Sequence, residues 1–318
     1  MLQARLRVTD RKMNRNDIVG KYSRWAASIA LIALMVGTAE LTGEKEIIFP
    51  EIMGLTVGYI AAPRRGWKAD TAHMTIAIAI CACAGVLIVR YMPGPVWLQL
   101  TTAYLTGQLV LAFSGTTFGP MLSAAALPVL MGTESIIYPV SAIVMTFISG
   151  LTGSMLEKAG LMEKNDFRHI KADPDWKAIA VKVACACLVA FGAITLDIRF
   201  AVAPPLLVAF NESAKPEAPP RKRPVTAVLL TGGCALAGTV LRLVICSMLG
   251  LPLTLAAALS AGAALVMMDL VEMYLPPAGA MGILAMLIPA SALVFFPLQV
   301  LAGISVLMIL ALVVFRKK

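Results

Sequence analysis

The residues with the greatest chemical capacity are ionisable side chains set inside long apolar runs. Asp269 and Glu272 stand three apart, on one face of a helix, just before Pro276-Pro277. Glu51 follows Pro50 in another run, Arg242 lies deep in a third, and Arg90 and Lys182 sit nearer the ends of theirs. If these runs cross lipid, each charge is costly and must face a partner, water or a pathway. Arg242 is too deep to reach water easily, so it is expected to pair internally with Asp269 or Glu272. In that arrangement Arg242 offers positive charge to a solute, while Asp269 and Glu272 carry a coupling proton or hold Arg242 in place. Arg90 and Lys182 are expected to snorkel to an interface. Glu212-Ser213 reads as an interfacial cap beside a basic loop.

Two short apolar stretches bounded by breakers form the second chemical feature. One runs from Gly119-Pro120 to Gly132, the other from Pro276-Pro277 to Pro289. Proline suits a first helical turn, where its missing N–H would be unpaired anyway. A twelve-residue helix is about 18 Å long at 1.5 Å per residue, too short for a hydrocarbon core of roughly 30 Å. Each N-terminus is therefore expected within the membrane or near its edge, with free N–H groups and a partial positive charge. Small residues follow at once: Ser123 and Ala124 in the first, Ala278, Gly279 and Ala280 in the second. Two such starts facing each other would make a solute site lined by these five residues, with Arg242, Asp269 and Glu272 nearby; the competing reading is plain helix packing through small residues.

Other chemistries find little here. The only histidines are His73 and His169, and neither sits in a metal-ligand pattern. The cysteine pairs Cys81/Cys83 and Cys185/Cys187 are spaced i, i+2, which points them to different helix faces. There is no HExxH and no glycine-rich phosphate loop. No metal, cofactor or catalytic residue is expected, and a membrane-embedded enzyme is the weakest functional class.

The elements that must position these groups are helices in lipid. The chain has 318 residues, 59% hydrophobic and 14% charged, with a mean hydropathy of +0.84. Soluble domains carry about 25% charged residues. Twelve helical elements are predicted, at about 25–42, 47–63, 71–92, 95–115, 120–131 and 134–156, then 176–196, 199–212, 225–249, 252–273, 277–288 and 290–315. The run after Trp25 is longer than a signal-peptide core and is read as a membrane helix. A basic segment, 1–24, precedes the first set, and a polar connector, 157–175, separates the two. Basic clusters at the N-terminus, Arg64-Arg65, Arg221-Lys222-Arg223 and Arg316-Lys317-Lys318 fall on one face if every element crosses, as the positive-inside rule requires. Both termini are then cytoplasmic, in an inner (plasma) membrane. The net charge of +9 is read as topological, with anionic lipid at the basic N-terminus, rather than as a nucleic-acid surface.

The two sets share their punctuation at an offset of 157 residues. Pro63-Arg64-Arg65 matches Pro220-Arg221-Lys222, Pro95 matches Pro252, and Gly119-Pro120 matches Pro276-Pro277. The expected fold is an all-α polytopic membrane protein of two tandem parallel repeats, 25–156 and 176–318. Each repeat holds about six helical elements, one of them short and broken. Six is even, so both copies have the same orientation.

The stretch Ala203-Pro204-Pro205 through Asn211-Glu212-Ser213, the later Pro220-Arg221, and Tyr274-Leu275-Pro276-Pro277-Ala278-Gly279-Ala280 resemble the HPP family of integral membrane proteins. Leu275 stands where that family has its histidine, which sets aside any histidine-dependent step. The resemblance, best over 200–300, implies transport of a small solute, with nitrite associated with some members. The expected function is thus a transporter or channel-like permease for a small solute such as a small anion. The alternative is a non-transporting scaffold or regulator. The expected partners are the solute and the bilayer, and assembly as a homo-oligomer is left open.

Overall fold

A computed structural model describes residues 15–316, and they are helical throughout apart from turns and loops. Thirteen α-helices occur among the described residues: α1 Arg15–Thr42, α2 Glu51–Thr56, α3 Thr71–Tyr91, α4 Val96–Phe113, α5 Pro120–Met131, α6 Ile137–Lys158, α7 Trp176–Thr195, α8 Pro204–Ser213, α9 Pro219–Lys222, α10 Pro224–Arg242, α11 Leu253–Leu270, α12 Pro276–Leu287 and α13 Phe296–Val314. Both α2 and α10 continue as π-turns, over Val57–Ala61 and Leu243–Met248. Eight of the helices are long and apolar enough to cross a bilayer, so this is a polytopic helical membrane protein.

Setting aside the single turn of α9, the helices run long, short, long, long, short, long, and then the same again. From the sequence, 47–63 and 199–212 are each expected as a single element. Instead Pro50 and Pro204-Pro205 each start a new helix after a 3-10 turn, at Lys45–Ile47 and Arg199–Val202. Proline has no N–H to join a preceding helical turn, so it closes one segment and opens the next. Four short helices therefore exist where two were expected. The first long helix also begins earlier than expected, at Arg15 rather than near 25.

Small residues allow the short helices to sit deep between the long ones. A Cβ at Gly85 of α3 would stand 2.4 Å from Ala125 O on α5, and one at Gly238 of α10 would stand 2.1 Å from Gly282 O on α12. Helices α1 and α11 pack together, as do α7 and α4. Helix α2 packs on α12, and α8 on α5. The first six helices and the later ones are thus interlocked rather than side by side.

Helix ends are closed by side chains. Asp70 caps α3 by accepting from the His73 N–H at 2.8 Å and from the His73 ring at 2.7 Å. Burial alone would raise the Asp70 carboxyl; the bonds from His73 outweigh it and hold the group below its ordinary value. Arginines close several C-termini, where free carbonyls and the negative dipole end favour a cation. Arg221 donates to Ala311 O and Phe315 O, at 2.7 and 2.8 Å, and Arg223 donates to Val271 O at 2.8 Å. These bases, predicted only as markers of sidedness, also satisfy helix-end backbone.

Candidate functional site

The first turns of the short helices converge. Pro120 of α5, Pro205 and Val208 of α8, and Pro276, Pro277 and Ala280 of α12 surround one small cavity, with Glu51 and Gly54 of α2 and the ring of Trp67 completing it. About 10 Å³ is free inside, room for roughly one water. This conformation is therefore closed to anything larger.

Glu51 is the one ionisable side chain in the cavity wall, and it is 3% exposed. Its Oε1 accepts a hydrogen bond from Ser123 Oγ, on α5. Its Oε2 is buried and finds no protein donor. Buried carboxylate oxygens are normally satisfied, so this one is open to a proton or a water. Ser123 is completely buried; the hydroxyl expected to serve a solute serves Glu51.

Above the cavity, Trp67 forms the boundary with a much larger space. Its indole N–H donates to Glu212 Oε1 at 2.9 Å. Its ring lies edge-on to Phe118, with centroids 5.5 Å apart. It also covers Gly58, where a Cβ would stand 2.4 Å from the ring; only glycine lets the indole lie so close. Trp67 is 4% exposed, yet it touches both the cavity and an open vestibule of about 1180 Å³.

The vestibule is basic. Lys21, Arg24, Arg64, Arg65, Lys68, Lys164 and Arg168 line it against Asp17, Glu163, Asp166 and Asp269. Lys21 pairs with Asp269 at 2.7 Å, Arg65 pairs with Glu157, and Arg24 donates to Leu161 O at 3.0 Å. Among the described residues, Arg64, Lys68, Lys164 and Arg168 are exposed and make no ion pair. Asn165 fastens the connector into the wall through Ala69 O, at 2.8 Å, and Tyr59 Oη, at 3.3 Å.

The structure divides the residues expected at one site. Ala280 lines the cavity, and Ser123 binds the carboxylate of Glu51, another residue of its wall. Ala124 gives its carbonyl to Tyr138 Oη at 2.9 Å. The Ala278 N–H bonds to Leu275 O at 3.0 Å. Gly279 packs elsewhere: a Cβ there would meet Met53 at 3.1 Å, Val57 at 3.3 Å and Met268 at 3.4 Å.

Arg242 does not meet Asp269 or Glu272. It donates to Ala285 O at 2.5 Å and to Ile288 O at 2.7 Å, closing the C-terminus of α12. That end is roughly 12 Å beyond Ala280, the last cavity-lining residue of α12, along a helix rising 1.5 Å per residue. Ile288 is extended there, whereas α5 ends in the left-handed Gly132; lacking that glycine, α12 takes its cap from Arg242. Asp269 lines the vestibule, bonded to Lys21 and, at 3.1 Å, to Tyr274 Oη. Glu272 is exposed at φ 52°, the left-handed residue that ends α11. Lys182 does not snorkel; its Nζ reaches Asn211 Oδ1 at 2.9 Å, which Gln108 also contacts at 3.1 Å. Arg90 is exposed.

The expected row of free N–H donors is much reduced. Prolines supply none, and early donors are taken locally: Leu122 by Gly119 O, Leu206 by Ala203 O, Ala278 by Leu275 O, at 3.0, 2.8 and 3.0 Å. What remains is the positive end of each helix dipole.

Glu51 is legible in the sequence as a charge in an apolar run, but neither its place at this cavity nor that of Trp67 is. The adjoining Pro50 was the available signal for Glu51. Nothing local distinguishes Trp67. Compared with protein-family models, curated proteins and solved structures, the chain matches none.

Proposed function

We propose that this chain is a membrane permease for a small solute, with small anions such as nitrite as the first substrates to test. One observation carries the reading: the first turns of the short helices enclose a buried, carboxylate-bearing cavity directly behind a basic vestibule, with Trp67 between them. A basic funnel raises the local concentration of anions. A buried carboxyl set in an otherwise apolar wall of helix starts is costly to a protein that only packs. The resemblance to the HPP family supports the same substrate class.

A two-fold repeat accounts for the arrangement. Helices α1 to α6 correspond to α7, α8, α10, α11, α12 and α13. Under that correspondence the packing of α1 on α11 mirrors α7 on α4, and α2 on α12 mirrors α8 on α5. Pro120 and Pro277, matched in sequence, line the same cavity. The axis then runs along the membrane normal, as in other parallel-repeat transporters. We place both termini and the vestibule on the cytoplasmic side of an inner membrane, because the basic clusters share that face.

The test is nitrite flux into proteoliposomes containing the purified full chain, with Trp67→Ala beside the wild type. Flux above protein-free vesicles, raised by Trp67→Ala, supports the reading. A folded protein that gives no flux in either form overturns it and favours a non-transporting scaffold.

A further inference from the structure

A carboxylate at the centre of an anion pathway poses an electrostatic problem. An anion brought beside ionised Glu51 would meet a like charge away from bulk water, where repulsion is far stronger than in solution. Resting on the permease reading above, we propose that Glu51 is the proton-binding site of this protein: it must be protonated before an anion can occupy the cavity, so that one proton and one anion cross together.

The geometry supports both protonation states. Burial disfavours an ionised carboxyl. Opposing it, the positive dipole ends of α5, α8 and α12 surround Glu51, and an N-terminal dipole end favours a negative charge. Ser123 donates to Oε1 in either state. Oε2, buried and without a protein donor, is the oxygen left to take the proton. The same dipole ends disfavour a metal cation, which would bring charge of the wrong sign; protonated Glu51 is neutral.

The surroundings hold few competitors. Neither α5 nor α12 has a titratable side chain. Helix α6 brings Tyr138, whose hydroxyl is committed to Ala124 O. From α8, Glu212 is a second carboxyl beside the cavity wall, its Oε1 committed to the Trp67 indole N–H. The ionisable groups of α1 lie toward its ends, with Lys21 and Arg24 in the vestibule and Glu40 bonded to Leu253 and Thr254.

The cycle balances. A proton from the vestibule converts the carboxylate to the acid, the anion enters as Trp67 withdraws, and both leave on the far side, returning Glu51 to the carboxylate. The pair is neutral, so a pH difference of one unit sustains about tenfold accumulation.

The experiment compares wild type with Glu51→Gln, which preserves size and the acceptor for Ser123. In proteoliposomes with an acidic exterior, wild type is expected to accumulate nitrite in proportion to the pH difference. Glu51→Gln is expected only to equilibrate it, at a rate independent of pH. Accumulation by Glu51→Gln equal to wild type overturns the proposal. A second readout needs no flux: infrared spectra of the reconstituted protein, titrated in pH, should show a carboxylic C=O band that Glu51→Gln removes and Ser123→Ala shifts. No such band at any pH overturns proton binding at Glu51, even if nitrite is transported. Its presence without nitrite flux upholds the proton site and overturns the substrate reading instead.

Discussion

The indole N–H of Trp67 donates to Glu212 Oε1 at 2.9 Å, joining residues 145 positions apart. This bond ties the loop after α2 to the end of α8 and holds the ring across the cavity mouth. Replacing Trp67 by Phe keeps the bulk but removes the donor. Glu212 is half-buried, and a fully buried acceptor left unpaired costs about 1–3 kcal/mol, an upper bound here. Trp67→Phe should therefore lower the melting temperature of the detergent-solubilised protein and raise basal solute leak. Trp67→Ala should leak more. Equal leak in wild type and both variants would show that the ring does not close the path.

Glycine substitutions separate backbone contact from adaptable packing. At Gly238 the added Cβ meets a carbonyl oxygen at 2.1 Å, and backbone cannot move aside. Gly238→Ala should push α10 from α12 and sharply reduce the yield of folded protein. Gly279 faces side chains of Met53, Val57 and Met268 at 3.1–3.4 Å, and methionine adapts readily. Gly279→Ala should cost no more than about 1–3 kcal/mol and leave flux unchanged. Size-exclusion profiles and melting curves of the two variants check this.

Arg242 bonds to helix-end backbone, so its loss is expected to affect stability rather than solute. Arg242→Ala frees the carbonyls of Ala285 and Ile288 at a cost of about 2 kcal/mol or more, given that bonds to charged groups contribute about 1.5–3 kcal/mol. The variant should melt lower yet keep the solute concentration dependence of the wild type. A changed half-saturation concentration with an unchanged melting curve would instead put Arg242 on the solute path.

Sidedness is open to direct labelling. Arg168 and Gly94 lie in loops, the first in the vestibule wall. In intact cells, a maleimide that does not cross membranes should modify Gly94→Cys and spare Arg168→Cys. After permeabilisation, both should react. Labelling of Arg168→Cys in intact cells would invert the topology.

The sequence by itself determined that the chain belongs in lipid. Apolar runs long enough to span, interrupted by short charged loops, leave no other solvent for most of its surface. It also marked every short helix by proline, because a residue without an N–H is favoured at a helix start and disfavoured inside one. Pro120 and Pro276-Pro277 were read that way, while Pro50 and Pro204-Pro205 carried the same signal inside runs taken as continuous. What the sequence could not set is which starts meet. Glu51 and Ser123 are 72 positions apart, and their bond depends on α2 and α5 being drawn to a common point by the packing of α2 on α12 and α5 on α8. Arg242 shows the converse. Its depth correctly required an internal partner, but that partner was two backbone carbonyls at a helix end rather than a carboxylate, because α12 lacks a left-handed glycine to close it. Local chemistry names the groups that need partners. Only the three-dimensional packing of helices distant in sequence decides which partner each one gets.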